Sequence, residues 1–274
     1  MLYASSAMIA RPVPATEGPS LKRDRILPHG WLDVAFQILL FATYYGIYSV
    51  VRGFAEVNGT VAFANSRSLI SIERTLHIFV EPQIQAWAMH SHVLMDITSW
   101  LYLNAQTTVT IAALFYIYLR HNDRFYQVRN MLAIAMAIAL VVYTLFPAAP
   151  PRFMPEWGFV DSVAAFTGVH VSHNSASMSA LVNPYAAMPS MHIAFSMLIA
   201  GQLATLVKPG ILKVAWALYP LLIAFVIIVT ANHFILDSLF GAVTAGISAA
   251  VALRLANLGP FAWRLTAATA TARS

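Results

Sequence analysis

The chain has 274 residues, of which 59% are hydrophobic and only 10% charged, and its mean hydropathy is +0.68. A soluble globular domain carries about 25% charged residues, so this composition excludes one and describes an integral membrane protein. The formal charge of +5 is scattered over the ends of apolar runs, which argues for membrane orientation over nucleic-acid binding, and the absence of cysteine excludes disulfide and thiolate chemistry.

Residues 1–30 hold prolines and charges without the apolar core and cleavage site of a signal peptide, and are expected to form a cytoplasmic tail. Apolar segments then follow at 31–51, 93–119, 128–146, 188–207, 211–230 and 234–255. Each approaches the roughly 20 residues that cross a bilayer. They predict an all-α membrane domain of six transmembrane helices over 31–256, followed by a second cytoplasmic tail at 257–274. Lys22, Arg23, Arg25, Arg120, Arg124, Arg129, Lys208, Lys213, Arg254 and Arg264 all fall on one side of these spans, which the positive-inside rule assigns to the cytoplasm. Both termini are then cytoplasmic, and the short loops suggest a prokaryotic plasma membrane.

Two outer loops are long. Residues 58–92 carry Leu69, Ile70, Ile72, Leu76 and Phe79 among charges, the pattern of an amphipathic helix lying in the interface. Residues 147–185 begin with Pro147-Ala148-Ala149-Pro150-Pro151-Arg152, which must end the third span. Residues 166–183, rich in Ser, His and Asn, read as a lid or recognition loop.

Two histidine signatures lie on the outer side, Ala187-Met188-Pro189-Ser190-Met191-His192 and Asn232-His233-Phe234-Ile235-Leu236-Asp237. Forty residues separate them, enough for one crossing and one return, so both reach the same membrane face. On a helix His233 and Asp237 would share a face, and a carboxylate on one ring nitrogen leaves the other free as nucleophile or base. Pro189 suits the first turn of a helix, whose free N–H groups, with the Ser190 hydroxyl and the backbone at Met191, form an anion site beside His192. Arg152 adds a guanidinium suited to phosphate. Each part alone has a bland reading as a cap, a solvated pair or a snorkelling arginine. Together they argue for phosphoryl chemistry.

These residues resemble the type 2 phosphatidic acid phosphatase superfamily. Pro189-Ser190-Met191-His192 is similar to its Pro-Ser-Gly-His motif, with Met191 for Gly. His233 to Asp237 matches the end of its third motif, although Val226 and Ile227 stand where Ser-Arg is expected. The departures resemble the branch containing inositol phosphorylceramide synthase, over about residues 64–241. The resemblance implies a phosphatidic acid phosphatase type 2-like bundle in which His233 attacks phosphorus, Asp237 holds its ring, and His192 protonates the leaving oxygen. Arg152, Ser190 and the backbone at Met191 would hold the phosphate oxygens, with Arg67 or Arg74 replacing the missing third-motif arginine. Glu73 and Arg74 could instead form a structural pair.

The implied partners are a lipid-phosphate substrate, a hydroxyl acceptor or water, and the bilayer. No nucleic acid, cofactor or metal is expected, and His77, His90, His92, His170 and His173 read as interfacial or loop residues. The acceptor decides between phosphatase and transferase and stays open, as does the oligomeric state. A transporter would use Asp96, Asn104 and Gln106, which are expected instead to bond between helices. A lipid-binding relative without activity is the remaining alternative.

Overall fold

The computed structural model describes residues 27, 29–54, 59–168 and 185–257, the backbone alone at 51–54 and 257. The tails expected at 1–30 and 257–274, save their edges, lie outside the described residues. So do His170, His173 and most of the loop at 166–183. The helices are α1 (Gly30–Phe54), α2 (Gly59–Thr75), α3 (Glu81–Ala88), α4 (His92–Arg120), α5 (Asn122–Leu145), α6 (Ser162–Thr167), α7 (Met191–Leu206), α8 (Gly210–Val229) and α9 (Ile235–Asn257). Two 3-10 turns, Pro151–Phe153 and Pro155–Trp157, follow α5, and the described residues form no strand.

Each of the six apolar segments is a helix, but four of them, α1, α5, α8 and α9, are long and apolar enough to cross a membrane by length and composition. The other two fall short for different reasons. α4 has 29 residues, yet Asp96, Thr98, Ser99, Asn104, Gln106 and Thr110 dilute its apolar character. α7 has only 16 residues, a rise of about 24 Å against a hydrocarbon core of about 30 Å. It is apolar on every side, as a helix enclosed by others must be, and it packs against α4, α5, α8 and α9.

The main core lies between α5, α7 and α9, with Met131, Leu132, Ala135, Ala139, Ala194, Ile199, Ala245 and Ala252 buried. Lipid tails are as apolar as leucine, so close packing holds such helices together, and the small alanines permit it. Trp31, Leu39, Phe115, Leu145, Ile211 and Leu221 form part of an exposed apolar coat. These features make the chain an integral membrane protein.

A second cluster caps one end of the bundle. Leu69 and Ile70 of α2, Ala148, Met154 and Phe159 of the connection after α5, Ala187 and Met188, and Ala231, Phe234 and Leu236 before and within α9 are buried together. The amphipathic pattern at 58–92 thus resolves into two helices. On α2 the buried stripe is Ala62, Ser66, Leu69, Ile70 and Glu73, at helical spacing. Ile72 and Leu76, expected on that face, point outward instead.

Candidate active site

Phe146 ends α5 because Pro147 follows it. The released chain is pinned on both sides. Asn65 Nδ2 donates to the Pro147 carbonyl at 2.8 Å, Ser66 Oγ donates to the Ala149 carbonyl at 2.9 Å, and the Ala148 N–H donates to the Tyr185 carbonyl at 2.8 Å. Arg152 is fixed in turn, for its N–H donates to the Ala231 carbonyl at 2.8 Å.

Ala231 is the pivot that delivers His233. α8 ends in a Schellman motif, with the Ala231 N–H bonded to the Ile228 carbonyl and the Asn232 N–H to the Ile227 carbonyl, both at 2.9 Å. The motif needs a left-handed residue after the cap, and Ala231 supplies it at φ 52° where glycine is usual. A Cβ in that region costs about 1–2 kcal/mol. The chain then runs through Asn232 and His233 before α9 starts at Ile235.

His233 therefore precedes the helix, which corrects the expectation that it shares a helical face with Asp237. Asp237 sits in the first turn of α9, fully buried, and its Oδ2 accepts from the Phe234 N–H at 2.9 Å. The same oxygen lies 3.5 Å from His233 Nδ1, a long contact that leaves this nitrogen without a bond of ideal length.

His192 arrives from α7. Ser190 is the N-cap, its buried hydroxyl accepting from the Ile193 N–H at 3.5 Å, so Pro189 lies one residue outside the helix and not in its first turn. The cap is tied to α9 by the Ser190 N–H, which donates to the Asp237 carbonyl at 3.0 Å, and to α5 by Tyr143 Oη on the Pro189 carbonyl at 3.1 Å. Gly241 lets α7 and α9 come this close, since a Cβ there would collide with the Ser190 carbonyl and press on Ile193 Cβ at 3.1 Å.

The result is a cavity of about 180 Å³ lined by His192, His233, Arg152, Asn232, Tyr102 and Gln106, among others. The two imidazoles face each other edge to face with centroids 5.7 Å apart, and His192 stacks on Tyr102 at 4.7 Å. Arg152 is half-buried, 3.8 Å from Asp161 Oδ2 and 4.9 Å above the Phe153 ring. Met191 also lines the cavity. Its N–H and that of His192 open a helix and have no acceptor within it, which with the helix dipole favours an anion there.

Residues 67–251, about two thirds of the chain, match the family model of the PAP2 superfamily. The chain belongs to that superfamily. Members of the PAP2 superfamily are phosphatases, and the matched span contains Arg152, His192, His233 and Asp237. No curated protein and no solved structure matches the chain.

The structure of this PAP2 protein brings together His192, His233, Asp237, Arg152 and the Met191 backbone, with Ser190 directly beneath as the cap. It does not bring in Arg67 or Arg74. Both are exposed on α2 outside the cavity lining, and Arg74 lies over the Trp157 ring at 5.8 Å. Glu73 does not share the exposed face of Arg74 but is fully buried, which removes the suggested Glu73–Arg74 pair. Asn104 bonds within its own helix, to the Trp100 carbonyl at 2.9 Å, and not between helices, while Gln106 faces the cavity.

Sequence reasoning passed over Asn232, Tyr102 and Gly241. Asn232 Nδ2 is held by Thr230 Oγ1 at 2.8 Å, and its buried Oδ1 has no partner among the described residues. Its position beside His233 was the available signal. A glycine four residues after Asp237, one helical turn on, was the signal for the close approach.

Proposed function

We propose that this PAP2 protein is a membrane lipid phosphatase or phosphotransferase working through a phosphohistidine on His233. The convergence of His192, His233 and Arg152 on one cavity at the end of a membrane bundle carries this reading. Asp237 faces Nδ1, so Nε2 is the nitrogen that attacks phosphorus. As the Nε2–P bond forms and the P–O bond to the leaving group breaks, His192 gives its proton to the departing oxygen. An acceptor hydroxyl then returns a proton to His192 and attacks, breaking the N–P bond. Arg152 and the Met191 and His192 N–H groups take the non-bridging oxygens, whose charge grows in the transition state.

The supporting membrane arrangement has six crossings, with α4 and α7 completing the four apolar spans, termini in the cytoplasm and the cavity on the extracytoplasmic face. The charge asymmetry of the loops supports it. The residues Ala187 to His192 and Asn232 to Asp237 favour the inositol phosphorylceramide synthase-like branch, where the acceptor is an alcohol and the product a new phospho-head-group lipid. Water as acceptor would make the protein a phosphatidic acid or isoprenoid diphosphate phosphatase.

The test offers phosphatidic acid, an isoprenoid diphosphate and phosphatidylinositol with a hydroxylated lipid acceptor to purified protein in mixed micelles. Free phosphate identifies water as acceptor, and a new phospho-head-group lipid identifies an alcohol. His233→Ala is expected to abolish either product, with a loss of about 10⁴-fold or more. Unchanged turnover in that variant would exclude the covalent route.

A further inference from the structure

Three carboxylates crowd the first turn of α9. Asp237 belongs to the turn itself, but the other two come from far away in the sequence. Glu73 of α2 accepts from the Leu236 N–H at 2.8 Å, and Glu81 at the start of α3 accepts from the Ile235 N–H at 2.9 Å. Both glutamates are fully buried. Each uses one oxygen on α9, and the remaining Oε2 atoms are buried with no hydrogen-bond partner among the described residues. Carboxyls crowded into one buried site cannot all ionise together, so one of them has to hold a proton.

We propose that Glu73 and Glu81 are positioning residues that together clamp the first turn of α9, fixing the angle at which it presents Asp237 to His233. Free N–H groups at a helix start need acceptors, and a solvated helix finds them in a local cap. α9 has a local cap for one of them, Phe234 N–H on Asp237, and takes the next two from α2 and α3. The helix therefore cannot rotate or slide without breaking bonds to two other elements. A misplacement of about 1 Å at such a site costs about 10²-fold in rate.

The surroundings keep the proton on Glu73. Its carboxyl is pushed up to about 9 from 4.5, chiefly by burial, then by the neighbouring Glu81 carboxyl and the charge of Asp237, against the opposing Leu236 N–H. Arg74 is exposed over Trp157, and Arg152 pairs with Asp161. The folded chain thus holds a proton on Glu73 that an unfolded glutamate would lose above about 4.5. The stability it contributes is complete below that value and drains away as pH rises through about 9. Once ionised, Glu73 repels Glu81 and Asp237 and the clamp opens.

Glu73→Gln copies the protonated form, since its carbonyl accepts from Leu236 and its amide donates to Glu81. Turnover of this variant is expected within about threefold of wild type at neutral pH with KM unchanged, and the wild-type fall in kcat above about pH 9 should disappear. Glu73→Ala should lower kcat about 10²-fold with little change in KM. These rate outcomes rest on the phosphatase reading, so two measurements free of activity accompany them. In infrared difference spectra the wild type should show a protonated-carboxyl band that titrates near about pH 9 and is missing from Glu73→Gln. By hydrogen exchange, the Ile235 and Leu236 amides should lose about 10-fold or more of their protection in Glu73→Ala.

A Glu73→Gln pH profile superimposed on that of the wild type, or a wild type without the band, overturns the clamp. If the wild type turns over no lipid phosphate, the proposed function fails, while the band and the amide protection still decide the clamp.

Discussion

The two ends of α5 both bury charge, and they treat it in opposite ways. At its start, Asp33 of α1 accepts from Gln37, Tyr118 and Tyr126 at 3.1, 2.7 and 3.1 Å. Arg129 donates to Gln37 Oε1 and Asn130 Oδ1 and lies 5.5 Å above the Tyr126 ring. Apart from the Tyr44 hydroxyl, this network is closed. Beyond the other end, His233 Nδ1, Asp237 Oδ1 and Asn232 Oδ1 are buried without full partners, and His192, His233 and Asn232 line a cavity. Buried polar groups are costly when unpaired, so a closed network is explained by packing and an open one facing a cavity calls for a ligand. Ionisable groups inside a membrane bundle are not all functional, and satisfaction separates the two kinds.

That contrast breaks if the ends respond alike to substitution. His233→Ala should remove about 10⁴-fold or more of turnover while leaving the thermal midpoint close to wild type. Asp33→Ala should do the reverse, since it takes the acceptor away from the Gln37, Tyr118 and Tyr126 donors, and each buried group left unsatisfied costs about 1–3 kcal/mol. Turnover per folded molecule should then stay within about twofold. Denaturation and rate measurements on the same preparations check both, and a catalytic loss in Asp33→Ala without loss of stability would erase the distinction.

Arg152→Lys sharpens the view of the open end. Lysine keeps the charge but loses the planar fork that can hold Asp161 and two phosphate oxygens together. kcat/KM is expected to fall about 10²-fold. Gly241→Ala probes the support under the cavity. Its methyl would drive α7 from α9 at Ser190, with an expected loss of about 1–3 kcal/mol and about 10-fold in turnover.

The fold was legible where a pattern repeats along the chain. Six apolar runs gave six helices because an apolar segment in lipid has to satisfy its own backbone bonds, and four of the six are long and apolar enough to cross a membrane. The His-x-x-x-Asp pair was legible because both partners lie within five residues, although the local geometry differs, for the Schellman turn at Ala231 places His233 ahead of α9. The carboxylates at 73 and 81 were not. They meet α9 across more than 150 residues of sequence, and a glutamate next to an arginine on an amphipathic helix looks like a solvated pair. Only the tertiary fold, which turns Glu73 inward and Arg74 outward, distinguishes them.

The smallest expected effects concern those arginines. The PAP2 resemblance calls for a second phosphate-binding cation, yet among the described residues lining the cavity Arg152 carries the only guanidinium. Arg67 and Arg74 are exposed and do not line it, and an exposed guanidinium over an aromatic ring, as at Arg74, contributes about 0.5–1 kcal/mol. Arg67→Gln and Arg74→Gln should each leave kcat/KM within about twofold, with Arg74→Gln losing no more than that in stability. A drop of about 10²-fold in either would mean that α2 swings a cation over the bound phosphate. If that motion breaks the Glu73 bond to α9, the amide protection of Leu236 falls on substrate binding. If the rates hold, the developing charge is carried by one arginine and the start of α7, and the Met191 and His192 N–H groups stand in for the arginine the third motif lacks.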